Sequence, residues 1–70
     1  MTTINIAAAL KKLRAERNIS QSELAEMINS KPSLITSIEA GHKIPTLAIA
    51  VKLADALLVT LDTLVGRKVG

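Results

Sequence analysis

Apolar residues recur along the chain at spacings of three and four, and this helical period prevails over strand-like alternation almost everywhere. Ile6, Ala9, Leu10 and Leu13 form one stripe, which predicts a helix from a cap at Asn5 to about Arg17. Lys11, Lys12 and Arg14 lie at or beyond the edge of that stripe. Asn18 follows the last turn, where Asn tolerates the left-handed geometry that closes a helix. Ser20-Gln21-Ser22-Glu23 has the spacing of a capping box, with Ile19 before it as a hydrophobic staple. The second helix then carries Leu24, Ala25 and Ile28 inward and stops near Met27 or Ile28. Asn29 and Ser30 form a short turn.

Pro32 suits the first position of a third helix and pushes Lys31 out of helical geometry, as a cap requires. Ile35 and Ile38 are its core positions, and Gly41 supplies the positive φ of a helix stop. Pro45-Thr46 opens a fourth helix whose apolar positions are Leu47, Ala50, Val51, Leu53, Ala54 and Leu57. Thr60 caps a short fifth helix holding Leu61, Leu64 and Val65, ended by Gly66. No linker, repeat or low-complexity tract interrupts the series. The expected architecture is all-α: a compact five-helix unit forming one domain over residues 1–70, structured from 6 to 66.

Composition removes several classes of function. A chain of 70 residues and 7.4 kDa buries roughly 60% of its surface, enough for one small core. Hydrophobic residues make up 49% of it, all aliphatic, with no Phe, Trp or Tyr on which unpaired bases would stack. Without Cys there is no disulfide framework, thiol nucleophile or Cys-based zinc site, and a lone His builds no His-rich metal site. Apolar runs such as Ile6 to Leu10 are far too short to span a bilayer, and the first residues lack a secretion signal. A soluble cytoplasmic protein without a membrane partner is therefore expected. The net charge of +3 and pI near 9.7 mildly favour polyanionic partners. One His and six acidic residues offer no Ser-His-Asp order, Gly-rich phosphate loop or HExxH pattern, so neither catalysis nor a cofactor is expected. Thr46, Thr60 and Asp62 read as helix-start residues.

Two helices of about eight residues joined near Asn29-Ser30 have the spacing of a helix-turn-helix, here over residues 20–40. The residue pattern goes further. The stretch ISQSELAEMINSKPSLITSIEAGHKIPT resembles the Cro/phage-repressor (XRE-type) helix-turn-helix family, matching it at Ser20, Gln21, Glu23, Leu24, Ala25, Ile35, Ile38, Glu39, Gly41 and Pro45. The following LAIAVKLADALLVTLDTLVG looks like the family's fourth and fifth helices. These matched residues are structural and argue for fold; function has to come from the outward faces.

On a wheel of about 100° per residue, Ser33 and Ala40 point away from the Ile35–Ile38 direction, flanked by Thr36 and Ser37. If the third helix reads DNA, as the resemblance implies, Lys31, Ser33, Thr36 and Ser37 reach base edges or nearby phosphates in the major groove. That face has no Arg, Gln or Asn for bidentate base contacts, so modest direct readout is expected, supplemented by DNA shape and dimerisation. The resemblance further implies that Gln21 and the second helix's start hold a backbone phosphate, and that His42 and Lys43 contact the backbone. The plainer alternatives are a polar first-turn residue for Gln21 and solvated loop positions for His42 and Lys43. Lys11 and Lys12 read as a solvated helix face. Arg14 and Glu39 match positions that form an ion pair in relatives, joining the first helix to the end of the third.

Departures from the pattern carry their own expectations. Asn29 replaces a common Gly at small cost. Ser30 replaces an apolar plug and should loosen the core beneath the turn. Ala40 and Ile44 replace frequent polar or basic residues, which should make salt dependence shallower. Ile44, Ile49, Leu58 and Val59 exceed the needs of the core, and suit a two-fold dimer with recognition helices one DNA turn (~34 Å) apart. The resulting expectation is a homodimeric transcriptional regulator, a repressor acting by operator occupancy on double-stranded DNA. The alternative uses the same patch for a protein partner, as an antitoxin or regulatory subunit with the fold as scaffold.

Overall fold

The computed structural model describes residues 6–65, which form five helices: α1 (Ile6–Glu16), α2 (Gln21–Met27), α3 (Pro32–Glu39), α4 (Leu47–Leu57) and α5 (Leu61–Leu64). All five lie where the apolar periodicity places them. The expected caps at Asn5 and Gly66 fall outside the described residues.

The starts of α2 to α5 are chemically marked. Ser20 accepts from the Glu23 backbone N–H at 3.0 Å while the Glu23 carboxylate accepts from the Ser20 N–H at 2.9 Å, closing the capping box. Thr46 and Thr60 cap α4 and α5 through their hydroxyls. Lys31 precedes α3 in extended geometry without a side-chain cap, and Pro32 occupies the first turn, where its missing N–H leaves no helical bond unmade.

The ends of α1 to α4 share one device. The chain turns left-handed at Asn18 (φ 53°), Asn29 (φ 57°), Gly41 (φ 80°) and Leu58 (φ 58°). In each case the next residue's N–H reaches back to a carbonyl five positions earlier: Ile19 to Arg14, Ser30 to Ala25, His42 to Ser37 and Val59 to Ala54. This is the Schellman closure, which satisfies carbonyls that the helix leaves orphaned. A Cβ added at Gly41 would meet no atom within 4 Å, so its backbone angle alone favours glycine there. Leu58 is the anomaly, an L-residue with a large side chain in the same geometry.

The core is aliphatic. Leu10, Leu24, Ile35, Ile38, Leu53, Leu57 and Leu64 are completely buried, each contributing about 1.5–3 kcal/mol through burial. Helix α3 is central: it packs most extensively on α2 and also against α1, which in turn touches α5. Ala25, fully buried, is small where α2 meets that packing. Ser30 is half-buried at the turn, its N–H engaged by Ala25 at 2.8 Å. Two of the apolar positions assigned to α4 point outward: Leu47 is 71% exposed and Val51 43%. Both precede or flank the face that holds Ala50, Leu53, Ala54 and Leu57. Among the described residues, no helix is long and apolar enough to cross a membrane.

Candidate nucleic-acid interface

The turn at Asn29 places α2 and α3 as a helix-turn-helix. With Ile35 and Ile38 fully buried behind it, α3 presents Pro32, Ser33, Thr36 and Ala40 to solvent, with Ser37 half-buried beside them. Lys31, at the start of α3, is exposed. After Gly41 the chain curls back, and the N–H groups of His42 and Lys43 both donate to the Ser37 carbonyl, at 3.0 and 3.3 Å. Lys43 is thereby drawn alongside α3. Lys31, Ser33, Ser37 and Lys43, with Ser30 and Leu34, line one shallow surface depression. Two lysines and three serines, with Lys43 brought in from beyond α3, thus border a single concavity. His42 is exposed and does not line it.

A second cluster lies at the junction of α1, α2 and α3. The Arg14 guanidinium donates from Nε to Glu39 Oε2 at 2.8 Å and from Nη2 to Glu39 Oε1 at 2.9 Å, a two-pronged side-on pair. Its third nitrogen, Nη1, donates to the Ile19 carbonyl at 2.8 Å. The Glu39 side chain retains 2% of its exposure and that of Arg14 18%. Burial by itself pushes the Glu39 carboxyl up. Hydrogen bonds from Arg14 and Gln21, with the positive charges of Arg14 and Lys11, outweigh burial and hold it below the usual carboxylate range. The hydrogen bond to Glu39 raises the guanidinium's pKa in turn.

Gln21 extends this cluster towards α3. Its Nε2 donates to Glu39 Oε1 at 3.1 Å, and its Oε1 accepts from the Thr36 hydroxyl at 2.9 Å. The half-buried Gln21 is therefore a strut between the ion pair and the outer face of α3. Nothing in its sequence neighbourhood reveals that role, because its partners lie 15 and 18 residues away. Lys11 lies one helical turn before Arg14 and contributes to the field at Glu39, which its reading as a solvated helix position does not foresee.

The excess aliphatics divide. Ile44 and Leu58 are 81% and 89% exposed, whereas Ile49 and Val59 are half-buried against the core. Ile44 joins Ile6, Leu47, Ala50, Leu61 and Val65 around a shallow apolar recess. Leu47 is the member of this surface that periodicity hides, since its spacing from Ala50 and Val51 is that of a core position.

The sequence model of the helix-turn-helix family matches residues 10–64. Among curated proteins, multiprotein-bridging factor 1 of Candida albicans is 36% identical over 67 residues, covering 96% of this chain and 42% of that protein. The chain thus spans less than half the length of that relative. Among solved structures, the restriction-modification controller protein C.AhdI from Aeromonas hydrophila is 29% identical with a TM-score of 0.81, covering 84% of this chain and 89% of that one. The DNA-binding domain of the P22 C2 repressor, at 23% identity, shares the fold with a TM-score of 0.84 over 91% of this chain and 84% of its own. With that match running from inside α1 to the end of α5, and with the helix-turn-helix framed by Ser20, Asn29 and Gly41, the chain belongs to the helix-turn-helix family of the Cro/phage-repressor (XRE) type.

Proposed function

We propose that this chain is a DNA-binding transcriptional regulator that lays α3 in the major groove and acts as a homodimer by occupying its operator. The observation that carries the reading is the depression beside α3, where Lys31 and Lys43 flank Ser33 and Ser37. The lysines suit phosphates, which position a protein on the duplex, and the hydroxyls suit base edges, which specify sequence. Thr36 and Gln21 extend the same face, and His42 stands at its margin. Arg14 and Glu39 act at one remove by fixing where α3 projects. The recess formed by Ile44 and Leu47, with Leu58 exposed at the other end of α4, supplies the apolar surface for self-association. Similarity to a restriction-modification controller and to a repressor's DNA-binding domain supports the regulatory reading.

Titration of a labelled duplex at two salt concentrations, with an unrelated duplex as competitor, tests it. Salt-sensitive binding that the competitor removes poorly is the expected result. A second reading is favoured by the curated relatives named multiprotein-bridging factor. In that case the exposed aliphatics of α4 and its flanks receive a protein partner, and the same titration shows no sequence preference.

A further inference from the structure

We propose that Thr36 reads DNA as a hydrogen-bond acceptor only, and so selects a base that carries an exocyclic amine. The inference rests on the reading of α3 as the recognition helix and specifies the polarity of one contact.

A threonine hydroxyl has one proton to donate and two lone pairs with which to accept. The bonds around Thr36 decide the fate of that proton. Glu39, ionised in its pair with Arg14, can only accept, so the Gln21 amide must turn Nε2 towards it, at 3.1 Å. The amide oxygen of Gln21 therefore faces Thr36, and the Thr36 hydroxyl must be the donor across the 2.9 Å between them. The other acceptor in reach is also internal, the Pro32 carbonyl at 3.1 Å one turn back on the helix. Whichever of the two holds the proton, it is engaged by an acceptor of the protein itself. The exposed side of Thr36 is left with lone pairs and a methyl group. Among the described residues the Ser33 and Ser37 hydroxyls make no such internal bond, so the restriction falls on Thr36.

In the major groove, adenine offers N6–H₂ and cytosine N4–H₂, whereas guanine O6 and N7 and thymine O4 are acceptors. Facing an acceptor, Thr36 would have to break its internal bond or leave two lone pairs opposed. Facing an amine, it completes a hydrogen bond with no rearrangement. A single bond of this kind corresponds to about a three- to tenfold preference.

Selection of bound duplexes from a random pool, run on the parent and on Thr36→Val, Thr36→Ser and Gln21→Met, tests the proposal. Thr36→Val keeps the shape and removes the oxygen; at one base pair it should level a three- to tenfold preference of the parent, and replacing that pair's adenine by purine or its cytosine by 2-pyrimidinone, which lack the exocyclic amine, should cost the parent the same factor and the variant nothing. Thr36→Ser should keep that preference. Gln21→Met should keep it too, because the Pro32 carbonyl still takes the proton, while lowering affinity for all sequences alike. If the parent binds the duplex lacking that amine as tightly as the natural one, or if Thr36→Val changes no position in a selective parent, the assigned polarity is wrong. A parent that selects no sequence overturns the DNA reading itself, and this inference with it.

Discussion

Arg14 and Glu39, 25 residues apart, meet in a two-pronged ion pair that ties the end of α1 to the end of α3. Glu39 is nearly inaccessible and Arg14 is mostly so, and the third guanidinium nitrogen holds the Ile19 carbonyl just before α2 begins. One side chain therefore fixes three elements: α1, the entry to α2 and the exit of α3. Gln21 and Thr36 carry the same chain of bonds to the outer face of α3. The orientation of α3 is thus set by polar bonds from one side and by Ile35 and Ile38 from the other.

Breaking the pair from either end should be costly. Arg14→Met leaves a carboxylate buried without its partner, and Glu39→Gln leaves a guanidinium short of its acceptor. Each should destabilise the fold by on the order of 3 kcal/mol, the low end for a buried pair because Arg14 keeps some solvent contact. Urea unfolding of the parent, both single variants and the double variant measures the coupling. A double variant about as stable as either single one is the expected result, and simple additivity would remove the pair from the account.

Stability should fall in acid. Glu39 has its folded pKa below the ordinary carboxylate value, so at low pH the unfolded chain binds the proton more readily than the folded one. The contribution is fully present above the ordinary carboxylate pKa, about 4.3 for Glu. It is lost as pH drops through the lower folded value. Glu23, held down by the Ser20 backbone N–H and hydroxyl, acts in the same direction from an exposed position. Thermal unfolding between pH 7 and 3 should show this decline, and Glu39→Gln should flatten it in part.

Leu58 is unfavourable twice over, since it is left-handed at φ 58° and 89% exposed. An L-residue in this region costs roughly 1–2 kcal/mol, and an exposed side chain recovers little of it by packing. Leu58→Gly should therefore stabilise the folded chain by about 1 kcal/mol, less whatever glycine adds to unfolded-state freedom. At this size that corresponds to a rise of about 4–8 °C in Tm. If Leu58 serves self-association, as proposed, the same variant should shift sedimentation towards monomer.

The two kinds of contact beside α3 should separate in binding measurements. Lys43→Ala should weaken all duplexes alike and reduce the slope of log affinity against log salt by about 1. The double variant Ser33→Ala/Ser37→Ala should leave that slope unchanged and narrow the gap between the selected duplex and an unrelated one. Equal affinity and selectivity in both variants would place the interface elsewhere.

Leu47→Glu places a charge at the apolar recess on a side chain that is 71% exposed, so the fold should hold. Sedimentation should then show loss of the proposed dimer, and affinity for a two-half-site duplex should fall more than affinity for a single half-site. An unchanged dimer would exclude the recess from the interface.

The helices were legible in the residue order because each is marked by local chemistry. Their caps at Ser20, Thr46 and Thr60 act over three residues, Asn18, Asn29 and Gly41 close turns through their own backbones, and the apolar stripe repeats within a single turn. The left-handed turn at Leu58 was not legible, since no intrinsic preference of leucine announces it. Likewise Leu47 and Ala50 have the same local spacing, and only the reach of the packed helices leaves one outside and buries the other.

The outward hydroxyls of α3 follow from the wheel, and with them the candidate residues. What the order of residues determined by itself was therefore a set of helices, their ends and their inward faces, all governed by interactions that close within about five residues. Tertiary structure alone decided that Gln21 lies between Glu39 and Thr36, that Lys43 returns beside Lys31, and that the Thr36 hydroxyl donates to Gln21. Those relationships join residues that the chain separates by 12 to 18 positions, and only the packing of α1, α2 and α3 around a shared core brings them within hydrogen-bonding or surface contact.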